Sequence, residues 1–135
     1  MITAVDTNVL IDVFRDDPKF GPKSANALRR CLREGVIVAC PIVWAETAAM
    51  FQDDARFTEV MGTLGVAFSP FEEGAARQAG AAWRKYRRRG GKRLRVMADF
   101  LIAAHAANQC DRLLSRDRGF YKTHFTRLRL LDPSP

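Results

Sequence analysis

The stretch Ala4-Val5-Asp6-Thr7-Asn8-Val9-Leu10 decides the fold of this chain. An apolar run that begins at Ile2 stops at Asp6, and two small polar side chains follow it. This pattern predicts a strand from Ile2 to Asp6 that opens a βα unit. In open α/β sheets, ligands and catalytic groups gather at the carboxyl ends of the strands. Asp6 is therefore the first candidate functional residue.

Apolar runs of strand length alternate with helical patterns along the rest of the chain. Further strands are predicted at Val36–Cys40, Val66–Phe68, Arg112–Ser115 and Leu128–Leu131. Such alternation predicts one parallel sheet with helices on both faces. Because no repeat or linker interrupts it, the chain is expected to form a single domain over residues 1–135.

The chain is basic: Lys and Arg total 22 against 15 Asp and Glu, for a net charge of +7. This charge favours a polyanionic partner, either nucleic acid or an acidic protein. A hydrophobic content of 47% excludes a disordered or fibrous class. No stretch approaches the roughly 18 apolar residues of a membrane span, and the N-terminus lacks a secretory signal pattern. No membrane association and a cytoplasmic location are expected.

Four acidic residues have neighbours that are unusual for surface acids. Asp6 and Asp117 each come at the end of an apolar strand, so both are expected at the carboxyl edge of the sheet. If those two strands are neighbours, the two carboxylates share one crevice. Glu46 and Asp99 have apolar residues about one helical turn away on either side, which predicts that both face the core. A core-facing carboxylate is costly unless it is paired, hydrogen-bonded or bound to a metal.

Each acid also has an ordinary structural explanation. Asp6 and Asp117 suit helix N-caps, and Asp99 suits the first turn of a helix. Glu46 alone suits a partner of a buried arginine. Taken together, however, several carboxylates in one pocket repel one another unless a divalent cation holds them ionised. Oxygen ligands without Cys or His suit Mg²⁺ or Mn²⁺ rather than Zn²⁺.

Four segments of the chain form a distinctive set: DTNVL at 6–10, WAE at 44–46, ADFLIAAHA at 98–106 and LLSRDRGFY at 113–121. They resemble the motifs of PIN-domain ribonucleases, and most closely those of VapC toxins of toxin–antitoxin pairs. The segments occur in family order, and the resemblance covers essentially the entire chain. It implies an α/β fold, a PIN-like three-layer sandwich of about five parallel strands covered by helices on both faces.

The resemblance also implies an activity and its site. The activity is that of an endoribonuclease dependent on Mg²⁺ or Mn²⁺, which hydrolyses RNA phosphodiesters with a metal-activated water. The implied site residues are the metal-binding acids Asp6, Asp99 and Asp117, the fourth catalytic acid Glu46, and the supporting residues Asn8 and Ser115. The implied partners are RNA, a cognate antitoxin protein and a second copy of the chain in a homodimer. The apolar residues Phe51, Phe57, Met61, Leu64 and Trp83 suit either an antitoxin groove or the core.

A basic segment at residues 84–95 carries eight positive charges in twelve residues. Its position just before the Asp99 helix suits the binding of an RNA backbone beside an anionic pocket. The RNA-binding candidates are Arg87, Arg88, Arg89, Lys92 and Arg93. The alternative is a solvated helix end whose arginines complement the helix dipole and whose C-cap is Gly90.

Two other functions compete with catalysis. One is a non-catalytic PIN-like domain that binds RNA or acts as a scaffold; it is disfavoured because none of the four acids is missing. The other is a receiver-like or phosphoryl-transfer domain, which needs an acidic doublet or a DxD pattern after the first strand. This chain has Asp-Thr-Asn there.

Overall fold

The computed structural model describes residues 1–91 and 97–134, which contain five strands and seven helices. The strands are β1 (Ile2–Val5), β2 (Val36–Ala39), β3 (Val66–Phe68), β4 (Arg112–Leu114) and β5 (Leu130–Leu131). The helices are α1 (Thr7–Phe14), α2 (Gly21–Glu34), α3 (Pro41–Ala48), α4 (Asp54–Leu64), α5 (Glu73–Arg88), α6 (Met97–Gln109) and α7 (Arg118–His124). None of these helices is long and apolar enough to cross a membrane.

The five strands form one parallel sheet in the order β3-β2-β1-β4-β5. Ala4 at the centre pairs with Val38 of β2 on one side and with Leu113 of β4 on the other. From the central strand β1, the chain adds β2 and β3 on one side of the sheet and then β4 and β5 on the other side. The strand order therefore reverses between β1 and β4. This confirms the prediction that the strands preceding Asp6 and Asp117 are neighbours.

Helices cover both faces of the sheet. Right-handed crossovers, the rule for parallel strands, place α1 to α4 on one face and α5 to α7 on the other. Aromatic contacts agree with this division. Trp44 of α3 packs against Phe57 of α4 with ring centres 5.3 Å apart, and Trp83 of α5 packs against Phe100 of α6 at 5.2 Å. The predicted three-layer α/β sandwich is confirmed.

The core lies on both faces of the three central strands, as their continuous apolar runs predict. Val5, Ile37 and Leu113 are all buried. Two of the residues considered for an antitoxin groove, Phe57 and Met61, are also buried in this core. Phe51, Leu64 and Trp83 are partly buried and pack against it.

The last strand is shorter than predicted. Strand β5 contains only Leu130 and Leu131, because it pairs with a β4 of three residues. Leu128 belongs instead to the turn that precedes the strand, where its backbone N–H donates to the Phe125 carbonyl at 3.0 Å.

Candidate active site

Asp6 lies at the carboxyl end of β1, where it is also the N-cap of α1. Its Oδ1 accepts a hydrogen bond from the Thr7 backbone N–H at 2.8 Å. Its Oδ2 accepts from the Ser115 hydroxyl at 2.7 Å and from the Tyr121 hydroxyl at 2.9 Å. Burial raises the pKa of Asp6, these hydrogen bonds oppose that rise, and the negative charge of Asp117 adds to it. Asp6 is therefore both a cap and a buried carboxylate held by hydroxyl donors.

Ser115 joins the loop after β1 to the loop after β4. Its buried hydroxyl donates to Asp6 and accepts from Asn8 Nδ2 at 3.3 Å and from the Asp117 backbone N–H at 3.0 Å. One donor and two acceptor positions are all that a hydroxyl has. Asn8 completes the link, because its Oδ1 accepts from the Arg116 backbone N–H at 3.2 Å. Both predicted supporting residues therefore lie within the hydrogen-bond network around Asp6.

The negative charges of Asp99 and Asp117 act on Tyr121, the tyrosine that is hydrogen-bonded to Asp6. Asp117 directly precedes α7 but makes no side-chain cap hydrogen bond to that helix. Asp99 lies in the first turn of α6 and is half-buried, although the sequence predicts that it faces the core. Burial raises the pKa of the Tyr121 hydroxyl, and the negative charges of Asp6, Asp99 and Asp117 raise it further. Three of the four predicted acids thus act electrostatically on one side chain.

Glu46 is exposed, and the prediction that it faces the core is wrong. The buried face of α3 is formed by Val43 and Thr47, and Glu46 lies at the border of that face. The carboxylate is nevertheless close to the site, because its Oε1 accepts a hydrogen bond from the Thr7 hydroxyl at 2.7 Å. Glu46 is therefore connected to Asp6 through the residue next to it.

The donor set fits a hard divalent cation. Within residues 1–91 and 97–134, no three His, Cys, Asp or Glu side chains are close enough to hold one ion directly. Mg²⁺ does not require three protein side chains, because it usually keeps several water ligands and binds only one or two carboxylates. The unfavourable interaction between Asp6 and Asp117 is one that a cation between them would offset. Carboxylate oxygens are the donors that suit Mg²⁺ or Mn²⁺.

A partly buried ion pair that the sequence did not reveal fixes the loop between Ser115 and Asp117. Arg116 Nε and Nη2 donate to the two carboxylate oxygens of Asp12 at 2.7 and 3.0 Å. Asp12 is buried and also accepts from the Ser24 hydroxyl at 2.8 Å. We call this pair the Asp12–Arg116 clamp. The feature of the sequence that could have indicated this pair is an acidic residue, Asp12, inside the apolar stretch of α1.

The guanidinium of Arg116 also stacks on an aromatic ring. Its central carbon lies 4.0 Å from the centre of the Phe20 ring, which precedes α2. A bidentate, stacked guanidinium has little rotational freedom. The clamp therefore ties the loop that carries Asp117 to α1 and to the start of α2.

Tyr121 is the second site residue that the sequence analysis missed. It lies one helical turn after Asp117, it is buried, and its hydroxyl donates to Asp6. The signal available in the sequence is a tyrosine four residues after a candidate acid in a short aromatic helix.

The basic segment is only partly described. Arg87, Arg88 and Arg89 are exposed at the end of α5, and the Arg87 guanidinium lies 5.9 Å from the Trp83 ring centre. Gly90 follows with a left-handed φ of 76°, which agrees with a helix-ending role for this glycine. Lys92 and Arg93 lie outside the described residues.

Comparisons with known proteins support one family. The family model for the PIN domain matches residues 3–125. VapBC2 from Rickettsia felis, solved with a promoter DNA fragment, is similar with a TM-score of 0.77 and 18% identity, covering 98% of each chain. VapBC-1 from nontypeable Haemophilus influenzae is similar with a TM-score of 0.77 and 19% identity, covering 100% of each chain.

A third similar structure is FitAcB from Neisseria gonorrhoeae, with a TM-score of 0.68 and 23% identity, covering 98% of each chain. At these identities the three structures show a shared fold. No curated protein sequence matches this chain significantly. The match over residues 3–125 shows that the chain belongs to the PIN-domain family.

Proposed function

We propose that this chain is an endoribonuclease that depends on Mg²⁺ or Mn²⁺ and is the toxin of a toxin–antitoxin pair. The observation that carries the proposal is the pairing of β1 with β4, which brings Asp6 and Asp117 to one edge of the sheet. There the Ser115 hydroxyl donates to the Asp6 carboxylate at 2.7 Å and accepts from the Asp117 backbone N–H at 3.0 Å. The net charge of +7 over the whole chain suits a polyanionic substrate.

The chain's own residues have distinct tasks in this proposal. Asp6, Asp99 and Asp117 would hold the ion, in part through its bound waters. The bound ion would supply Lewis-acid stabilisation and a water of lowered pKa. The hydroxyls of Ser115 and Tyr121 orient the Asp6 carboxylate and favour its ionised form. The raised pKa of Tyr121 keeps its hydroxyl protonated and therefore able to donate.

A cleavage assay with single-stranded RNA tests the metal dependence. We expect cleavage in Mg²⁺ or Mn²⁺, loss of cleavage in excess EDTA, and recovery when the metal is restored. Products with a 5′-phosphate and a 3′-hydroxyl would agree with attack by water. Equal cleavage in EDTA would contradict the proposal. RNA binding without cleavage in either metal would instead support the non-catalytic PIN-like alternative.

The proposal includes the partners and place of action of a toxin. We propose that a cognate antitoxin binds the chain, that the chain forms a homodimer, and that it acts in the cytoplasm. The similar VapBC and FitAB structures support the antitoxin partner. Co-expression with the protein encoded beside it, followed by size measurement in solution, tests the complex and the dimer together.

Glu46 is expected to have a secondary effect on cleavage. Glu46→Gln should lower the cleavage rate by about 10-fold, the lower part of the range for residues that act through another ligand. Its amide oxygen still accepts from Thr7, so mainly the charge is lost. The cleavage rate at saturating Mg²⁺ is the measurement. Glu59→Gln on the exposed face of α4 is the matched control. If the cleavage rate falls as far as we expect for Asp6→Asn, at least about 100-fold, Glu46 belongs among the direct metal ligands.

A further inference from the structure

A cavity of about 520 Å³ lies between α5 and the segment 123–128, which comprises the end of α7 and the residues after it. One wall is the face of α5 that carries Ala82, Lys85 and Arg89, and the other wall includes Phe125 and Arg127. We call it the α5 cavity. Its volume lies within the range of about 300 to 1,000 Å³ that is typical of small-molecule sites.

The α5 cavity combines positive charge with an apolar wall. Lys85, Arg89 and Arg127 line it, and no acidic residue does. None of these three cations forms an ion pair with a carboxylate in the described part of the chain. Unpaired cations around a concave, low-dielectric surface concentrate positive potential there. The ligand should therefore be anionic and should also carry an apolar face.

The α5 cavity is close to the acidic site. Helix α7 begins directly after Asp117 and ends at His124, which lines the cavity. Its seven residues span only about 10 Å at 1.5 Å per residue. Tyr86, another lining residue, packs 5.3 Å from the ring of Phe100, the residue that follows Asp99. An extended RNA strand bound at the acids can reach the cavity within a few nucleotides.

We infer that the α5 cavity is a subsite for a nucleotide of the RNA substrate that flanks the cleaved phosphodiester. The inference rests on the proposed function. A nucleotide has the two required properties, because its phosphate is anionic and its base has an apolar face. Lys85 and Arg127 neutralise phosphate from opposite walls, while the base lies against the apolar wall near Phe125. This subsite is distinct from the predicted set Arg87, Arg88, Arg89, Lys92 and Arg93, with which it shares only Arg89.

The test measures RNA binding in the Asp6→Asn background, so that the RNA remains intact. The double substitution Lys85→Gln/Arg127→Gln removes one charge from each wall of the cavity. We expect it to raise the dissociation constant of a short single-stranded RNA by about 10-fold at low salt. We also expect the slope of log K against log salt to fall by about 1.4, or 0.7 for each lost phosphate contact. Arg29→Gln/Arg33→Gln on the opposite layer is the matched control, expected to stay within about twofold.

A second variant tests the cavity without changing charge. Ala81 is exposed and lines the cavity, so Ala81→Phe fills it from α5. We expect this variant to raise the dissociation constant at least about fivefold, because the base loses its place against the apolar wall. Circular dichroism and thermal unfolding establish that the variant is folded.

Each contrary result has a defined meaning. If Lys85→Gln/Arg127→Gln and Arg29→Gln/Arg33→Gln weaken RNA binding equally, the subsite inference is wrong while the proposed function stands. The same holds if Ala81→Phe leaves RNA binding unchanged. If Asp6→Asn protein binds no RNA and the unmodified chain cleaves none, the proposed function fails as well. If the variant Lys85→Gln/Arg127→Gln keeps its affinity for RNA but loses affinity for a synthetic acidic peptide, the cavity is a protein-docking site and the inference is wrong.

Discussion

Asp6→Asn is expected to lower RNA cleavage at least about 100-fold while the chain still folds. The substitution removes the charge of a proposed metal-binding carboxylate, so the loss should exceed the roughly 10- to 100-fold effect of an outer hydrogen bond. Folding should weaken only slightly. An amide has one acceptor oxygen, which serves either the Thr7 N–H or the Ser115 and Tyr121 hydroxyls. We expect the free energy of unfolding to fall by about 1 to 2 kcal/mol.

The matched control for this prediction is Asp53→Asn. Asp53 is also a helix N-cap, and its Oδ1 accepts from the Ala55 backbone N–H at 2.9 Å, but it is exposed at the start of α4. The control should keep cleavage within about twofold. Single-turnover cleavage and urea unfolding are the measurements. If Asp6→Asn protein keeps more than about a tenth of the original rate, Asp6 is not a central metal ligand.

Arg116→Gln is expected to cost about 3 kcal/mol of unfolding free energy, because it leaves Asp12 buried without its cation. It should also weaken Mg²⁺ affinity at least about 10-fold, since Arg116 fixes the loop between Ser115 and Asp117. The double variant Asp12→Asn/Arg116→Gln should be more stable than Arg116→Gln alone, because it leaves no unpaired buried charge. Urea unfolding and calorimetric titration with Mg²⁺ measure the two effects separately.

Arg118→Gln is the matched control for the clamp. Arg118 lies two residues further along and pairs with Asp132 at 3.5 Å, but its side chain is 54% exposed. An exposed pair of this kind contributes at most about 1 kcal/mol. If Arg116→Gln lowers the free energy of unfolding no more than Arg118→Gln does, the Asp12–Arg116 clamp does not fix the loop between Ser115 and Asp117.

The sequence predicted the framework of the site because the relevant signals are local. Apolar runs that end in Asp6 and Asp117 mark two strand ends, and parallel strands present those ends at one edge. The hydrogen bonds of Asn8 and Ser115 to Asp6 were implied only by the family resemblance, and the structure places both residues in contact with Asp6.

Side-chain burial and long-range pairing could not be predicted in the same way. The apolar neighbours of Glu46 indicate an amphipathic helix, but only packing decides which face of α3 is buried. Arg116 is one of 22 cationic residues and lies 104 positions from Asp12, so no periodicity identifies the pair. The α5 cavity likewise depends on how the segment after α7 packs against α5.

The hydrogen bond between Ser115 and Asp6 spans 109 positions of the chain, and that between Tyr121 and Asp6 spans 115. Contacts this distant in sequence form late, because the loop-closure entropy must be lost before the contacts stabilise the chain. During synthesis the N-terminal part emerges first. The Asp6 carboxylate therefore lacks its two hydroxyl donors until residues 115 and 121 have been synthesised. A chain that lacks residues 115–121 lacks the organised site, so competence to act requires the synthesis of α7.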